Sequence, residues 1–131
     1  MDKPSVLFVC VENSNRSQMA EGFARAIGGD RVRVTSAGSK PSGVVNPKAI
    51  RFMAEKGIHL DAHSSKGLDT IPAGEWDYVI TMGCGDACPW VPAKHREDWD
   101  LPDPKDMSDD DFRAVRDRIE ASVRDLLSKL S

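Results

Sequence analysis

The chain has 131 residues, of which 40% are hydrophobic and 30% charged, and its formal net charge is −3. This length predicts one domain, residues 1–131, with a core of its own, and the acidic balance argues against a nucleic-acid-binding protein. Three cysteines are too few for the disulfide framework of a small secreted protein. The first residues show no targeting signal, and the longest early apolar run, residues 6–11, is too short to span a bilayer. We therefore expect a soluble cytoplasmic protein with no membrane or nucleic-acid partner.

The first three predicted elements are a strand, a helix and a strand. Residues 6–11 form a continuous apolar run, typical of a strand that is buried on both faces. Ser17 is predicted to cap a helix whose apolar stripe continues to Ile27 and ends at a Gly-Gly pair. Residues 31–35 alternate between charged and apolar side chains, which indicates a second strand.

A second helix and a third strand follow. Residues 36–45 are rich in Gly, Ser and Pro and are predicted to form a loop. Asn46 is predicted to cap a helix that has proline at its first position and ends near Lys56. The apolar and aromatic residues 76–81 indicate a third strand.

The last third of the chain begins with a long irregular segment. Residues 83–106 contain two of the three cysteines and four of the eight prolines, and a loop of this length in a compact domain is usually functional. Residues 95–99 are predicted to form a short edge strand, and Ser108 caps a final helix that runs to Leu130. The whole pattern predicts an α/β fold, a three-layer sandwich in which a four-stranded parallel sheet carries helices on both faces. Ligands bind such folds at the carboxyl ends of the strands.

The segment between the first strand and the first helix has the features of an oxyanion-binding loop. A loop that curls at a helix N-terminus presents several backbone N–H groups to one point, where the helix dipole favours an anion. Arg16 adds a planar pair of donors, and the positive surroundings make Cys10 a thiolate nucleophile. A buried structural cysteine is the alternative, but an arginine six positions later, at a helix start, favours the nucleophile. The predicted oxyanion-binding residues are Val11, Glu12, Asn13, Ser14, Asn15, Arg16 and Ser17.

This loop also carries a resemblance to a known family. Residues 10–23, CVENSNRSQMAEGF, resemble the signature of arsenate reductases built on the low-molecular-weight protein tyrosine phosphatase fold. Residues 35–38 and 45–49 and the pair Asp103-Pro104 are similar to further family segments. The spacing from cysteine to arginine is shared by phosphatases of this type, whereas residues 16–22 and the later cysteine pair favour the reductase branch.

The resemblance implies a relay of three thiols. Cys10 attacks arsenate held by the loop and Arg16, and Cys84 then attacks Cys10, which releases arsenite. Cys88 next attacks Cys84, and the new disulfide is reduced by thioredoxin or a similar external thiol reductant. A glutaredoxin or mycothiol route is the alternative, because three residues separate Cys84 from Cys88, fewer than in the best-known thioredoxin-coupled members.

Two structural interpretations compete with a redox pair. Cys84 and Cys88 could be inert core residues, although a segment rich in glycine and proline is a poor place to bury them. They could also join His95 in a zinc site, but structural zinc takes four ligands and only three soft ones are present. We therefore expect a redox pair and no metal site.

Asp103 is the candidate general acid. Prolines on both sides restrain its loop, and the resemblance implies that an aspartate before a proline protonates the leaving oxygen. The alternative is an ordinary surface aspartate in the acidic stretch 98–111.

The chain departs from the family pattern at two places. Asn15 stands where many relatives carry a second loop cysteine. Several relatives also bind potassium, through residues that match Asn13, Glu21 and Ser36 and through an aspartate that is Lys66 here. Our hypothesis is that the Lys66 ammonium pairs with Glu21 and replaces the metal cation, so no bound cofactor is expected; a solvated lysine is the alternative.

Three functions are therefore considered. An arsenate reductase is the leading one. The first alternative is a low-molecular-weight phosphatase that hydrolyses phosphoesters through a Cys10 phospho-enzyme, with Trp90 and Trp99 as candidates for stacking on an aryl ring. The second is a non-catalytic oxyanion-binding or redox-sensing module, against which the joint presence of Cys10, Arg16 and Asp103 argues.

Overall fold

The computed structural model describes residues 3–61, 63–71, 74–82 and 91–130. Among these residues, no helix has both the length and the apolar character needed to cross a membrane. The strands are β1 (Ser5–Cys10), β2 (Arg33–Gly38), β3 (Trp76–Thr81) and β4 (Ala93–Asp98). The α-helices are α1 (Arg16–Gly28), α2 (Pro47–Ala54) and α3 (Asp109–Leu130), and single 3-10 turns occupy Gly29–Arg31 and Leu68–Thr70.

The four strands form one parallel sheet in the order β2-β1-β3-β4. β1 lies inside the sheet and is buried along its whole length, as its continuous apolar run predicts. The chain places β2 on one side of β1 and β3 on the other. The connections therefore diverge at the carboxyl end of β1, which is where open α/β sheets bind ligands.

Alternate residues of β1 face two different apolar layers. Val6 and Phe8 pack in the larger layer with side chains of all three α-helices. Leu7 and Val9 pack in a smaller layer on the opposite face, which the 3-10 turn Leu68–Thr70 helps to cover through Leu68. The predicted α/β fold with a four-stranded parallel sheet is confirmed. All three α-helices pack on one face, and in the described residues the second face carries a 3-10 turn instead of the predicted α-helical layer.

Several element boundaries differ from the sequence prediction. β2 continues to Gly38, because residues 36–38 pair with β1, although their composition predicts a loop. α1 begins at Arg16 after the N-cap residue Asn15, so the prediction of Ser17 as the cap was wrong. The caps Asn46 and Ser108 are confirmed: their side-chain oxygens accept hydrogen bonds from the backbone N–H groups of Lys48 (2.8 Å) and Asp111 (3.2 Å).

Candidate active site

The loop between β1 and α1 curls around the sulfur of Cys10. Cys10 is the last residue of β1 and is only 2% exposed. The backbone N–H of Asn13 donates to Cys10 Sγ at 3.2 Å, and Ser17 Oγ lies 2.8 Å from the same sulfur. The structure therefore brings Cys10 together with two members of the predicted loop.

The loop carbonyls are bound on the outside of the turn by the segment that follows β2. The backbone pairs are Lys40 N to Val11 O (2.8 Å), Ser42 N to Glu12 O (3.1 Å) and Asn46 N to Ser14 O (3.1 Å). A trans peptide carries its N–H and C=O on opposite sides, so the N–H groups that follow these carbonyls face the inside. One of them, the N–H of Asn13, reaches Cys10 Sγ, and oxyanion binding by the whole loop stays a prediction.

Gly38 allows this packing because it has no side chain. A Cβ at Gly38 would lie 2.5 Å from the carbonyl oxygen of Val11 and 2.9 Å from the backbone nitrogen of Asn13. Both atoms are backbone and cannot move aside cheaply. The end of β2 therefore requires glycine where it supports the loop.

Asn13 holds the curled conformation. Its φ of 50° lies in the left-handed region, which asparagine tolerates better than most residues. Its Oδ1 accepts from Gln18 Nε2 and from the backbone N–H of Lys66, each at 2.9 Å. Its Nδ2 donates to Ser17 Oγ at 2.8 Å and to Ser36 Oγ at 2.9 Å. The amide of Asn13 is thus fully bonded inside the protein.

These bonds fix the direction of the contact with Cys10. Ser17 Oγ already accepts a proton from Asn13, so its own hydroxyl proton is left for Cys10 Sγ. Ser36 Oγ likewise accepts from Asn13 and donates to Glu21 Oε1 at 2.6 Å. Hydrogen-bond donors therefore converge on the sulfur, which is the arrangement that a thiolate needs.

Glu21 is a buried carboxylate behind the loop, with three basic side chains around it. Arg25 Nε donates to Glu21 at 2.9 Å, while Lys66 Nζ and His63 Nδ1 each lie 3.7 Å from a carboxylate oxygen. Burial lowers the pKa of His63 against the opposing charge of Glu21, so the neutral ring is favoured. Gln18 Oε1 is 3.0 Å from His63 Nδ1 and accepts from it, since Gln18 Nε2 donates to Asn13.

Arg16 connects two other chain segments at the site. It is buried, and its Nη1 donates to the carbonyl oxygens of Met82 (2.5 Å) and Leu101 (2.9 Å). Met82 follows β3, and Leu101 lies two residues before Asp103. Arg16 therefore keeps its guanidinium at the carboxyl ends of the strands.

Asp103, the candidate general acid, lies beside the loop. Its Oδ1 accepts from Asn15 Nδ2 at 3.4 Å and from the backbone N–H of Lys105 at 3.1 Å. Lys105 Nζ also lies 3.1 Å from Glu12 Oε1, and this hydrogen bond raises the pKa of Lys105. A cavity of about 10 Å³ remains between the two loops. Its lining residues are Cys10, Glu12, Ser14, Asn15, Arg16 and Asp103.

Other predicted residues are not part of this arrangement. Cys84, Cys88 and Trp90 lie outside the described residues. Trp99 packs against Phe8, with ring centroids 5.7 Å apart, and does not line the cavity beside Cys10. His95 stacks on Tyr78 at 4.8 Å. Within the described ranges, no group of three or more His, Cys, Asp or Glu side chains is placed to hold a metal ion.

Three functional contributors were not identified from the sequence. Gln18 orients Asn13, Gly38 makes room for the loop, and Lys105 pairs with Glu12 across the cavity. Gln18 carries a recognisable signal, because it is a polar residue flanked by the apolar stripe of α1 and is fully buried. The other two depend on contacts between distant segments.

Comparisons with known proteins agree with this geometry. Residues 5–131 match the model of the family described as low molecular weight phosphotyrosine protein phosphatase. A curated relative from Synechocystis sp., glutaredoxin arsenate reductase, is 43% identical over 129 residues, covering 96% of this chain and 98% of the relative. A solved structure described as an arsenate reductase in the phosphate binding state has 40% identity and a TM-score of 0.88, covering 98% of this chain and 99% of its own. The thioredoxin-dependent arsenate reductase of Corynebacterium glutamicum has 38% identity and a TM-score of 0.81, covering 98% of this chain and 62% of its own.

Proposed function

Because this chain belongs to the low molecular weight phosphotyrosine protein phosphatase family, we propose that it is an arsenate reductase that acts in the cytoplasm with an external dithiol reductant. The observation that carries the proposal is the sulfur of Cys10, which lies inside a turn of backbone N–H groups and receives hydrogen bonds from Asn13 and Ser17. Such a site binds a tetrahedral oxyanion next to a thiolate. The similarity to arsenate reductases supports arsenate as that oxyanion.

In the first step, Cys10 Sγ attacks arsenic. An S–As bond forms and an As–O bond breaks, and the leaving oxygen departs as water after it takes a proton from Asp103. Asp103 lines the same cavity as Cys10, which supports this role. The loop N–H groups and the guanidinium of Arg16 stabilise the negative charge of the oxyanion.

In the second step, the Cys84 thiolate attacks Cys10 Sγ. An S–S bond forms, the S–As bond breaks, and its electron pair stays on arsenic, which leaves as arsenite. Cys88 then attacks Cys84 and frees Cys10, and a thioredoxin-like dithiol protein reduces the Cys84–Cys88 disulfide. Arg16 binds the carbonyl of Met82, two residues before Cys84, which supports an approach of this segment to Cys10.

The phosphatase alternative is less well supported by the cavity. Among the described residues its lining is almost entirely polar and it measures only about 10 Å³, whereas a phosphotyrosine site needs an apolar slot for the aryl ring. The candidate Trp99 is used instead in packing against Phe8. A small inorganic oxyanion fits these surroundings better than an aryl phosphate.

A coupled assay tests the proposal. NADPH oxidation with thioredoxin and thioredoxin reductase, run in parallel with a glutaredoxin system, measures arsenate turnover beside hydrolysis of p-nitrophenyl phosphate. We expect arsenate turnover in at least one system, and one arsenite per chain when no reductant is added.

Two cysteine variants separate the steps of the relay. Cys88→Ser should still release one arsenite per chain but should not turn over, whereas Cys84→Ser should release none. Turnover by Cys88→Ser at the wild-type rate with thioredoxin would contradict the relay. Hydrolysis of the phosphoester alone would favour the phosphatase.

Glu21 matches a residue that binds potassium in several relatives, so its surroundings show whether this chain could bind the same ion. The carboxylate already has Ser36, Arg25 and Lys66 as partners, so the residues present do not fit a bound potassium ion. We infer that the Lys66 ammonium supplies the positive charge instead.

A potassium titration tests this inference. Exchanging sodium for potassium at constant ionic strength should leave the melting temperature and turnover of the wild type unchanged. Lys66→Met should lower the melting temperature, while Lys94→Met, which removes an exposed lysine from its pair with Asp77 at 3.3 Å, serves as the matched control. Strong activation of the wild type by potassium would contradict the inference.

A further inference from the structure

Asn15 stands at the N-cap position of α1 but does not cap the helix. Asparagine at this position usually accepts a hydrogen bond from a first-turn N–H group through its side chain. Here Asn15 makes no side-chain capping bond and is only 4% exposed. Its Nδ2 instead donates to Asp103 Oδ1 at 3.4 Å, across 88 positions of the chain. The side chain is therefore committed to the active site rather than to the helix.

The other end of this amide is a buried acceptor without a donor. Asn15 Oδ1 is inaccessible to solvent and has no hydrogen-bond partner among the described residues. Burying an amide oxygen unpaired is unfavourable, so an acceptor of this kind beside a cavity calls for a donor from a ligand. By contrast, all four hydrogen-bonding positions of the Asn13 amide in the same loop are used.

The position of Asn15 indicates what that partner is. Asn15, Asp103 and Cys10 line the same cavity. The residues that line the cavity therefore carry donors, from the loop N–H groups and Arg16, and two acceptors, the buried Asn15 Oδ1 and the Asp103 carboxylate. A ligand that meets both sets must carry negative oxygens and at least one hydroxyl group.

We propose that Asn15 selects oxyanions that bear a hydroxyl group. Its Oδ1 accepts from the O–H of hydrogen arsenate or hydrogen phosphate, while its Nδ2 holds Asp103 beside the same ligand. Sulfate, which has the same shape but no proton at neutral pH, leaves the amide oxygen unpaired and is rejected. This role of Asn15 rests on the proposed function, and it restricts the substrates to tetrahedral oxyanions that carry a proton.

The remaining donors cannot make this distinction. Backbone N–H groups at a helix N-terminus and an arginine side chain bind any tetrahedral anion of suitable charge. A site with a buried acceptor, in contrast, discriminates against a ligand that lacks the matching donor. Asn15 is therefore the residue at which selectivity between arsenate and sulfate can be altered without removing the anion site.

Anion binding to the reduced protein tests the proposal. Inorganic phosphate and sodium sulfate are titrated calorimetrically at pH 8, where both are mainly dianions, with a phosphine as the reductant. The wild type should prefer phosphate, and Asn15→Leu should lower that preference by about tenfold, which is the effect of losing one hydrogen bond. Asn15→Asp keeps an acceptor, so it should bind both anions more weakly but retain the preference for phosphate.

The control is Asn46→Leu, the same substitution at a cap outside the cavity. It should lower stability, because it removes the bond to the Lys48 N–H, and should leave the ratio of the two affinities unchanged. The proposal would be overturned if the wild type bound phosphate and sulfate equally well. It would also be overturned if Asn15→Leu weakened the binding of both anions by the same factor. If the protein turns over arsenate but Asn15→Leu leaves the ratio of phosphate to sulfate affinity unchanged, the proposal for Asn15 is rejected and the proposed function stands. If the preference for phosphate depends on Asn15 but arsenate is not turned over, only the proposed function is rejected.

Discussion

Two polar clusters in this protein differ in what they leave unbonded. On the surface between α2 and α3, Glu55 accepts from Arg113 at 2.9 and 3.0 Å and from Arg116 at 2.7 Å. Arg116 also pairs with Asp117 at 2.9 Å. These charges satisfy one another. In the candidate active site, by contrast, Asn15 Oδ1 is left without a partner among the described residues.

The difference shows which signal identifies a functional site. The hydrogen bonds from the two arginines lower the pKa of Glu55 to about 2, although nothing about the surface cluster suggests chemistry. A perturbed pKa is only a probabilistic sign of function, because structural ion pairs produce it too. In this chain, the unsatisfied buried acceptor Asn15 Oδ1 lies beside the proposed nucleophile Cys10, whereas the perturbed carboxylate of Glu55 lies away from it.

Cavity volume is an equally poor guide to the position of the candidate active site. A groove of about 440 Å³ opens at the amino-terminal end of the sheet, where Ser5, Arg33 and Trp76 begin their strands. The cavity at Cys10 is about forty times smaller, at about 10 Å³. The topology of the sheet, which directs ligands to the carboxyl ends of the strands, locates the site where volume does not.

The largest expected effect comes from Gly38→Ala, which forces the active-site cluster apart. The new Cβ would be 2.5 Å from the Val11 carbonyl oxygen, so the loop must shift. We expect a loss of about 1–3 kcal/mol in the free energy of unfolding and of about a hundredfold in arsenate turnover, as is typical for a displaced reacting group. Urea unfolding and the coupled assay measure the two effects.

Gly22→Ala is the matched control. A Cβ at Gly22 would meet the ends of three side chains, Leu60 at 2.9 Å, Met53 at 3.1 Å and Ile58 at 3.2 Å, which can adjust. Its turnover should stay close to that of the wild type. Equal activities of the two alanine variants would show that the loop does not depend on Gly38.

A smaller effect is expected at the surface cluster, and it concerns stability alone. The bonds of Glu55 to the two arginines stabilise the folded state above the ordinary carboxyl pKa of 4.5, and this contribution disappears as the pH falls towards about 2. The difference in unfolding free energy between the wild type and Glu55→Gln should therefore shrink over that interval. Arsenate turnover of Glu55→Gln should equal that of the wild type; a large loss would mean that the two clusters are coupled.

The smallest expected effect concerns His63, whose protonation makes the stability of the folded protein depend on pH. Since burial lowers its pKa below 6.5, the unfolded chain takes up a proton first, and stability falls as the pH is lowered through 6.5. Replacement by His63→Gln should reduce this pH dependence of the melting temperature. An NMR titration of the His63 ring should give a midpoint below 6.5, and a midpoint above that value would contradict the assignment.

Local sequence patterns predict most of the fold. The apolar run of β1, the stripe of α1 and the caps Asn46 and Ser108 all act within a few residues, where periodicity and capping rules apply. The end of β2 was missed because its Ser-Ala-Gly composition is typical of a loop. Pairing with β1 overrides that preference.

Local patterns alone predict the site only where one segment supplies it, whereas Asp103 and the pairing of Lys66 with Glu21 were expected from the family resemblance. Cys10, Arg16 and Asn13 belong to a single loop with a recognisable spacing. Ser17 satisfies the local rule for a cap, but a sulfur seven positions away engages its hydroxyl. The contact of Asn15 with Asp103 spans 88 positions, and no local pattern encodes such a distance.

The two edges of the sheet have a consequence for behaviour at high concentration. At one edge, the outward carbonyl of Val34 in β2 accepts from Arg25 Nη2 at 2.8 Å, so that position is not available to a visiting strand. At the other edge, residues 94–98 of β4 are all charged or imidazole side chains. Charged edge strands and covered carbonyls are how natural sheets avoid adding strands from other molecules. We therefore expect this four-stranded sheet to resist aggregation through its edges.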